Sequence, residues 1–156
     1  MVRKLLTTAG VGALVAMAIG GASFASASGD ESGGRTIVVI EKTTSQHFLD
    51  LGKAGPSPGD MFFFASQFWN ANQTHKLGSN RGHCVLESQS VAHCVGTGRL
   101  LGGRLEFAGE TTTTGSNSII AITGGTGALD GAEGHVSIRN LNPEGTVSRD
   151  VIVLLG

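Results

Sequence analysis

Two His-Cys pairs are the first residues in the chain whose types suggest chemistry. His83-Cys84 and His93-Cys94 flank the turn Ser88-Gln89-Ser90, and the alternation around them predicts a β-hairpin. Imidazole and thiolate are common zinc ligands, but neighbouring side chains on a strand point to opposite faces, so the four groups cannot meet at one metal. The sequence therefore predicts no metal site and places both histidines on the outer face.

The same hairpin predicts a disulfide. Pairing its strands about Gln89 places Cys84 directly opposite Cys94. Directly opposed residues of an antiparallel pair have their Cα atoms within disulfide range. The chain has 2 cysteines, and an exported protein would hold such a pair oxidised. We therefore predict a structural Cys84–Cys94 disulfide.

A glycine-rich stretch is the next candidate for chemistry. The sequence Ala121-Ile-Thr-Gly-Gly-Thr-Gly-Ala is similar to the phosphate-binding turn of a dinucleotide-binding domain. That turn leads directly into a helix and needs a glycine where this chain has Asp130, whereas the residues after Gly127 alternate as strands do. We therefore expect a tight turn between strands, because glycine permits positive φ and close approach. Its structural turn residues are Gly124, Gly125, Gly127 and Gly131.

A carboxylate and an aromatic face occupy the first two predicted strands. Glu41 interrupts an apolar run and shares a face with Ile37 and Val39, so it lies either at the wet end of the strand or among apolar neighbours. Residues 60–69 form the most aromatic segment and predict a strand. One face of this strand carries Phe62, Phe64, Ser66 and Phe68, and the other carries Met61, Phe63 and Ala65.

These residues must be positioned by strands, because the chain has no helical period of useful length. We predict strands at residues 36–43, 60–69, 81–87, 91–98, 104–110, 117–123, 134–141 and 147–155, with a long loop at 44–59. The first and last strands are apolar on both faces, so an open edge would favour aggregation, and closure removes it. The predicted fold is all-β: an eight-stranded antiparallel closed β-barrel, whose interior is just wide enough to be filled by side chains or to hold one small ligand.

The N-terminus predicts export. Arg3 and Lys4 precede an uncharged apolar run, and Ala25-Ser26-Ala27 is a small-residue cleavage site, as in a secretory signal peptide. We predict a signal peptide at 1–27, cleaved after Ala27, a flexible lead-in at 28–35 and one barrel domain at 36–156. The protein would be secreted, with no membrane anchor after cleavage. The mildly acidic chain lacks a basic run, which argues against nucleic acid as a partner.

The pattern resembles the allene oxide cyclase barrel and dirigent superfamily, in particular its small exported bacterial members. The specific element is Ala121-Ile-Thr-Gly-Gly-Thr-Gly-x-x-x-Gly-Ala-x-Gly-x-Val136. Further matches, over about residues 37–155, are Gly59-Asp60, Gly82-x-Cys84, Leu101-x-Gly103 and Gly109. The resemblance implies an eight-stranded barrel with an apolar cavity, assembled as a homodimer or homotrimer.

The resemblance also implies candidate site residues. Plant relatives cyclise an unsaturated fatty-acid epoxide or steer the coupling of phenoxy radicals, and related bacterial barrels close polyketide rings by cycloaddition. Glu41 is similar to the first-strand glutamate of the cyclases, where a desolvated carboxylate could stabilise a developing cation. Thr43 and Ser66 stand where those cyclases have asparagines, and Cys84 matches a cyclase cysteine. Dirigent sites use tyrosine, and this chain has none.

The sequence leaves two functions open. In the first, a secreted barrel binds a small apolar molecule in its cavity and acts as a cyclase, isomerase or dirigent-like protein, with Glu41 as the catalytic residue. Its ligand-binding residues would be Phe62, Phe64, Ser66 and Phe68. In the second, a non-catalytic extracellular barrel binds a ligand or serves as a structural module. Neither of these two functions needs a cofactor. Beside them stands a third hypothesis, in which the protein is an inhibitor or adhesin that acts through the 44–59 loop.

The interior of the barrel would discriminate between these functions. An apolar cavity of roughly 300 Å³ or more beside Glu41 would make ligand binding the default. A packed interior with Glu41 in solvent would exclude the first function.

Overall fold

The barrel expected from the sequence is present in the structure, a computed structural model that describes residues 34–113 and 117–155. Its eight strands are β1 Arg35–Leu49, β2 Met61–Trp69, β3 Lys76–Leu86, β4 Val91–Leu100, β5 Gly103–Thr112, β6 Ser118–Gly127, β7 Glu133–Asn140 and β8 Val147–Leu155. Each strand pairs antiparallel with the next, and β8 pairs with β1 to close the barrel, which confirms the predicted fold class. The predicted signal peptide, 1–27, and residues 28–33 of the predicted lead-in lie outside the described residues. No helix in the described residues is long and apolar enough to cross a membrane.

The first strand is longer than the sequence suggested. Residues 44–49, expected to begin a long loop, continue β1 and pair with the first half of β2. A register shift between Thr43 and Ser45 marks a β-bulge, which bends the strand around the barrel. Residues 44–47 are polar and show no apolar alternation, but the backbone groups of β2 require a partner, and pairing with them makes this segment a strand. The connecting loop is confined to residues 50–60, which leaves less loop for the inhibitor or adhesin hypothesis.

The glycine-rich stretch lies mostly in a strand, and the turn predicted for it comes later. Gly124 and Gly125 belong to β6, Gly127 is the last residue of that strand, and Gly131 lies in the connecting turn. The turn folds back into the barrel end, where a Cβ on Gly125 would come within 1.9 Å of the Leu129 carbonyl oxygen. Gly127 and Gly131 have positive φ, 67° and 72°. Glycine thus permits close approach inside the strand and an unusual backbone conformation at the turn.

Apolar side chains fill one end of the barrel. The buried cluster there comprises Val39, Phe68, Leu100, Leu105, Ile122, Leu129, Ile152 and Leu154. Leu129 comes from the β6–β7 turn, so this turn plugs the barrel end. Because the other members come from six different strands, removing their surfaces from water stabilises the closed sheet as a whole.

Nearer the middle of the barrel, two phenylalanine rings fill the space that neighbouring glycines leave open. Phe64 pairs with Gly82, Gly82 with Gly96, and Gly96 with Phe107, so one row across β2 to β5 reads Phe-Gly-Gly-Phe. A Cβ on Gly82 would lie 2.9 Å from the Phe64 ring, and one on Gly96 would lie 2.3 Å from the Phe107 ring. Both rings therefore rest directly against glycine backbone, and their positions limit the free volume at this level.

The predicted Cys84–Cys94 disulfide is present and joins β3 to β4. The two residues face each other in the strand register, with their Cα atoms 3.9 Å apart. The cystine packs in a second apolar cluster with Leu86, Ala92, Phe62 and Phe64. This cluster lies toward the barrel end opposite the Leu129 plug, so each end has its own apolar packing.

A buried aspartate organises the 50–60 loop. Asp60 is 0% exposed, and its carboxylate accepts hydrogen bonds from the backbone N–H groups of Leu51, Gly52 and Ser57 and from the Ser57 hydroxyl. The Leu51 N–H and the other donors lower the pKa of Asp60 from its usual range, although burial opposes the shift. Asp60 therefore holds the loop against the start of β2, which is a structural role.

Removing the disulfide is expected to destabilise the barrel. The bridged residues are 10 positions apart, and the chain-entropy model gives about 2–3 kcal/mol for a loop of this size. The double variant Cys84→Ala, Cys94→Ala should lose about that much free energy of unfolding in urea titrations. Intact mass before and after reduction checks the bond in the parent protein. An unchanged unfolding free energy would show that the bridge contributes nothing to stability.

Asp60→Asn is expected to destabilise the protein at neutral pH, because an amide NH₂ would face N–H donors that now bond to a carboxylate oxygen. Folding lowers the pKa of Asp60, so its carboxylate contributes to the free energy of unfolding above the unfolded pKa of about 4. This contribution is lost as pH falls through the folded pKa. The difference in urea midpoint between wild type and Asp60→Asn should therefore shrink on acidification. The exposed acid Asp130, which lies in a turn outside this loop, provides the control variant, Asp130→Asn. A difference that stays constant down to the lowest accessible pH would contradict this account.

Candidate active site in the barrel interior

Glu41 lies on the inner face of β1, between the two apolar clusters. Its register partners are Phe68 on β2 and Ser148 on β8. Glu41 Oε1 accepts a hydrogen bond from the Ser66 hydroxyl and another, 3.0 Å long, from Nδ2 of Asn80. Of the two environments that the sequence left open, the interior is the one observed, and polar groups on β2 and β3 hold the carboxylate there.

A second carboxyl group lies beside Glu41. Asp150 on β8 is 1% exposed, and it shares a side-chain hydrogen bond with Glu41. Burial, together with the hydrogen bond to Glu41 and the charge of Glu41, raises the pKa of Asp150 to about 9. The Ser148 hydroxyl donates to Asp150 Oδ1 at 2.7 Å and opposes the shift. Asp150 is therefore a neutral carboxylic acid at neutral pH.

The two acids together combine a proton donor with a proton acceptor. Because burial and the neighbouring Glu41 raise the pKa of Asp150, this carboxyl group keeps a proton that it can donate. Among the residues that the structure describes, no Lys, Arg or His lines the cavity that the pair faces. Neighbouring carboxyl groups in different protonation states are the arrangement that general acid–base catalysis uses. Apolar surroundings also strengthen the effect of the charge on any bound molecule.

The carboxyl pair lines an internal cavity of about 40 Å³. The other lining residues are Phe68, Asn80, Gly98, Leu105, Phe107, Ile120, Val136, Ile138 and Ile152. The volume suits a few water molecules and is far below the roughly 300 Å³ of a typical ligand pocket. A larger ligand would therefore enter only if a ring such as Phe107 moved away from its glycine.

The structure brings some of the predicted site residues together and separates others. Ser66 bonds to Glu41, and Phe68 lines the cavity. Phe62 and Phe64 face inward on the same strand, but they pack against the cystine and do not line the cavity. Cys84 is held in the disulfide, so it offers no thiol to the site.

Three polar residues of the site were not predicted: Asn80, Ser148 and Asp150. Ser148 and Asp150 alternate with Ile152 and Leu154 on one face of β8, so they could have been recognised as polar residues at inward positions. Asn80 falls between two predicted strands, in a polar segment that the sequence indicates is a connection or a frayed strand start, and β3 begins within it at Lys76. The useful signal in both cases is a polar residue on an otherwise apolar strand face.

The two histidines of the predicted hairpin, His83 and His93, lie away from the carboxyl pair. His93 is exposed, and the ring of His83 lies 5.7 Å from the ring of Phe63, which is on the outer face of β2. Among the described residues, no group of three or more His, Cys, Asp or Glu side chains is placed to hold a metal ion.

The closed eight-stranded antiparallel barrel defines the structural class: its fold is that of the allene oxide cyclase and dirigent-like barrels. No protein-family model and no curated protein sequence matches the chain. The fold is similar to that of pyocyanin demethylase, with a TM-score of 0.69 and 22% identity over 77% of this chain and 99% of that one.

Two further solved structures have the same fold. An exo-specific intermolecular Diels–Alderase gives a TM-score of 0.65 at 16% identity, over 79% of this chain and 98% of that one. A pterocarpan synthase dirigent protein gives a TM-score of 0.64 at 16% identity, over 78% of this chain and 95% of that one. At these identities the likeness establishes the fold alone.

Asp150→Asn is expected to remove a specific pH dependence of stability. Because the folded pKa of Asp150 is raised to about 9, the native state keeps a proton that the unfolded state releases above about pH 4. The contribution of Asp150 to the free energy of unfolding is fully present below its unfolded pKa and is lost as pH rises through its folded pKa. Between about pH 5 and 8, wild type should lose up to about 1.4 kcal/mol per pH unit relative to Asp150→Asn.

Urea titrations across this range measure the difference, and Asp130→Asn, at an exposed turn, is the matched control. Infrared spectra at neutral pH should show a carboxylic acid C=O band in wild type that Asp150→Asn lacks. Parallel stability curves for wild type and Asp150→Asn, with no such band, would show that Asp150 is ionised.

Proposed function

We propose that the protein binds a small, largely apolar molecule inside the barrel and steers its ring closure, isomerisation or coupling. The observation that carries this proposal is the neutral acid Asp150, hydrogen-bonded to Glu41 at the wall of an otherwise apolar cavity. The fold supports it, since the barrels named as a Diels–Alderase and a dirigent protein have the same architecture.

In this proposal the barrel acts chiefly by positioning. Apolar walls exclude water and hold one conformation of the ligand, which lowers the entropic part of the barrier to ring closure. When a ligand binds, the Asp150 O–H leaves Glu41 and donates a hydrogen bond or its proton to an oxygen or nitrogen of the ligand, and Glu41 stabilises positive charge that develops. Ser66 and Asn80 keep the Glu41 carboxylate in place. The proposal includes no cofactor.

The size of the cavity favours a second candidate function. A volume of about 40 Å³ admits no ligand of ordinary size unless an aromatic ring moves. A non-catalytic extracellular barrel, acting as a ligand carrier or as a structural module, would need only the packed clusters and the disulfide.

The proposal places the protein outside the cell, with residues 1–27 removed after Ala27. The Cys84–Cys94 disulfide supports an oxidising compartment, because such bonds persist in secreted proteins and are rare in the cytosol. The functional experiment therefore uses protein recovered from the culture medium, with N-terminal sequencing expected to begin at Ser28.

Mass spectrometry of co-purifying small molecules tests the function. Wild type, Glu41→Gln and Asp150→Asn are purified without denaturant, and their bound molecules are extracted and compared. We expect an apolar molecule in wild type that is depleted severalfold in both variants, because each variant alters the hydrogen bonding of the pair. Phe63→Leu, a change on the outer face, should retain the molecule.

An empty barrel in every protein would count against binding and catalysis together and would favour the structural module. Equal occupancy in wild type and in both carboxyl variants would place the binding site away from Glu41 and Asp150.

A further inference from the structure

One buried acceptor in the cavity has no partner within the protein. Among the described residues, Asn80 Oδ1 is the buried side-chain atom that no group donates to. Asn80 is 8% exposed and lines the cavity beside Glu41. Its Nδ2 donates to Glu41 Oε1, which fixes the amide orientation, since the flipped amide would bring two acceptors together. A buried acceptor left unpaired is destabilising, so this atom is suited to a donor from a bound molecule.

The charge of the cavity adds a second constraint. The Glu41 and Asp150 carboxyl groups lie together at the cavity wall, and the charge of Glu41 is one cause of the raised pKa of Asp150. The remaining lining residues are uncharged. An anionic ligand would bring a second negative charge into apolar surroundings with no cation to balance it, which is strongly unfavourable. A ligand that donates a hydrogen bond finds a buried acceptor with no protein donor at Asn80 Oδ1, whereas Glu41 Oε1 already accepts from Ser66 and Asn80.

We infer that the cavity selects an uncharged or cationic molecule that presents an N–H or O–H donor to Asn80 Oδ1, and that it rejects carboxylates. This inference rests on the proposed function and names the ligand class of that site. Asn80 is then a specificity-determining residue, distinct in role from Glu41 and Asp150.

Two pairs of small probes separate the donor requirement from the charge requirement. Pyrrole and furan have the same ring shape, but only pyrrole has an N–H donor. Acetamide and acetate also have the same shape, but only acetate is an anion. Binding is measured at neutral pH from NMR shift changes at cavity-lining residues of the full chain. Phe107→Ala is measured in parallel, because removing the ring enlarges the cavity.

We expect pyrrole to bind about tenfold more tightly than furan, and acetamide at least about tenfold more tightly than acetate. Asn80→Leu should abolish the preference for pyrrole, whereas Ser79→Ala, the outward-facing neighbour on β3, should keep it. A preference that persists in Asn80→Leu would remove Asn80 from the argument. The affinity ratios of pyrrole to furan and of acetamide to acetate, measured in wild type and in Phe107→Ala, decide the ligand class even if Asn80→Leu does not fold.

The failure of the inference is distinguishable from the failure of the proposed function. Equal binding of pyrrole and furan, or acetate bound as tightly as acetamide, would overturn the ligand class and leave binding in the barrel intact. If neither wild type nor Phe107→Ala bound any probe, ligand binding itself would be overturned.

Discussion

The pairing of β8 with β1 is the interaction on which both the fold and the candidate site depend. It closes the sheet, so that none of the eight strands is left at an edge. The same register places Ser148 opposite Glu41 and Asp150 opposite Val39, which brings the two ends of the domain into one polar group. A shift of one residue would turn Asp150 outward and Val151 inward. Closure and site are therefore specified by the same backbone hydrogen bonds.

Apolar packing on both sides isolates this polar group from water. One cluster includes Leu129 from the β6–β7 turn, and the other includes the cystine. In such surroundings a second negative charge beside Glu41 is unfavourable, so Asp150 keeps its proton. The turn, the disulfide and the acid pair are thus physically connected. Loosening either end of the barrel would admit water and return the pKa of Asp150 toward its ordinary value.

The strand order and the cystine could be predicted because they depend on local patterns: alternation, turn residues and symmetry about Gln89. The length of β1 could not, since residues 44–49 are strand only because β2 lies beside them. Glu41 was identified because it interrupts an apolar run, and Ser66 because it stands where the cyclases have an asparagine. The position of Asp150 beside Glu41 follows only from closure of β8 on β1. Alternation placed Phe64 on the face it shares with Phe68, but its depth in the barrel, against the cystine and away from the cavity, depends on the stagger of the strands.

A buried pair of acids without a cation is a poor way to stabilise a barrel. Desolvating carboxyl groups opposes folding more than packing apolar side chains of similar volume would. Space-filling does not require the pair either, because phenylalanine rings against Gly82 and Gly96 already fill the interior nearby. Groups with strongly shifted pKa values beside a cavity are typical of functional sites. The acid pair, with the unpaired oxygen of Asn80 beside it, is the part of the interior that the fold alone does not explain, so the chemistry of this protein is to be sought there.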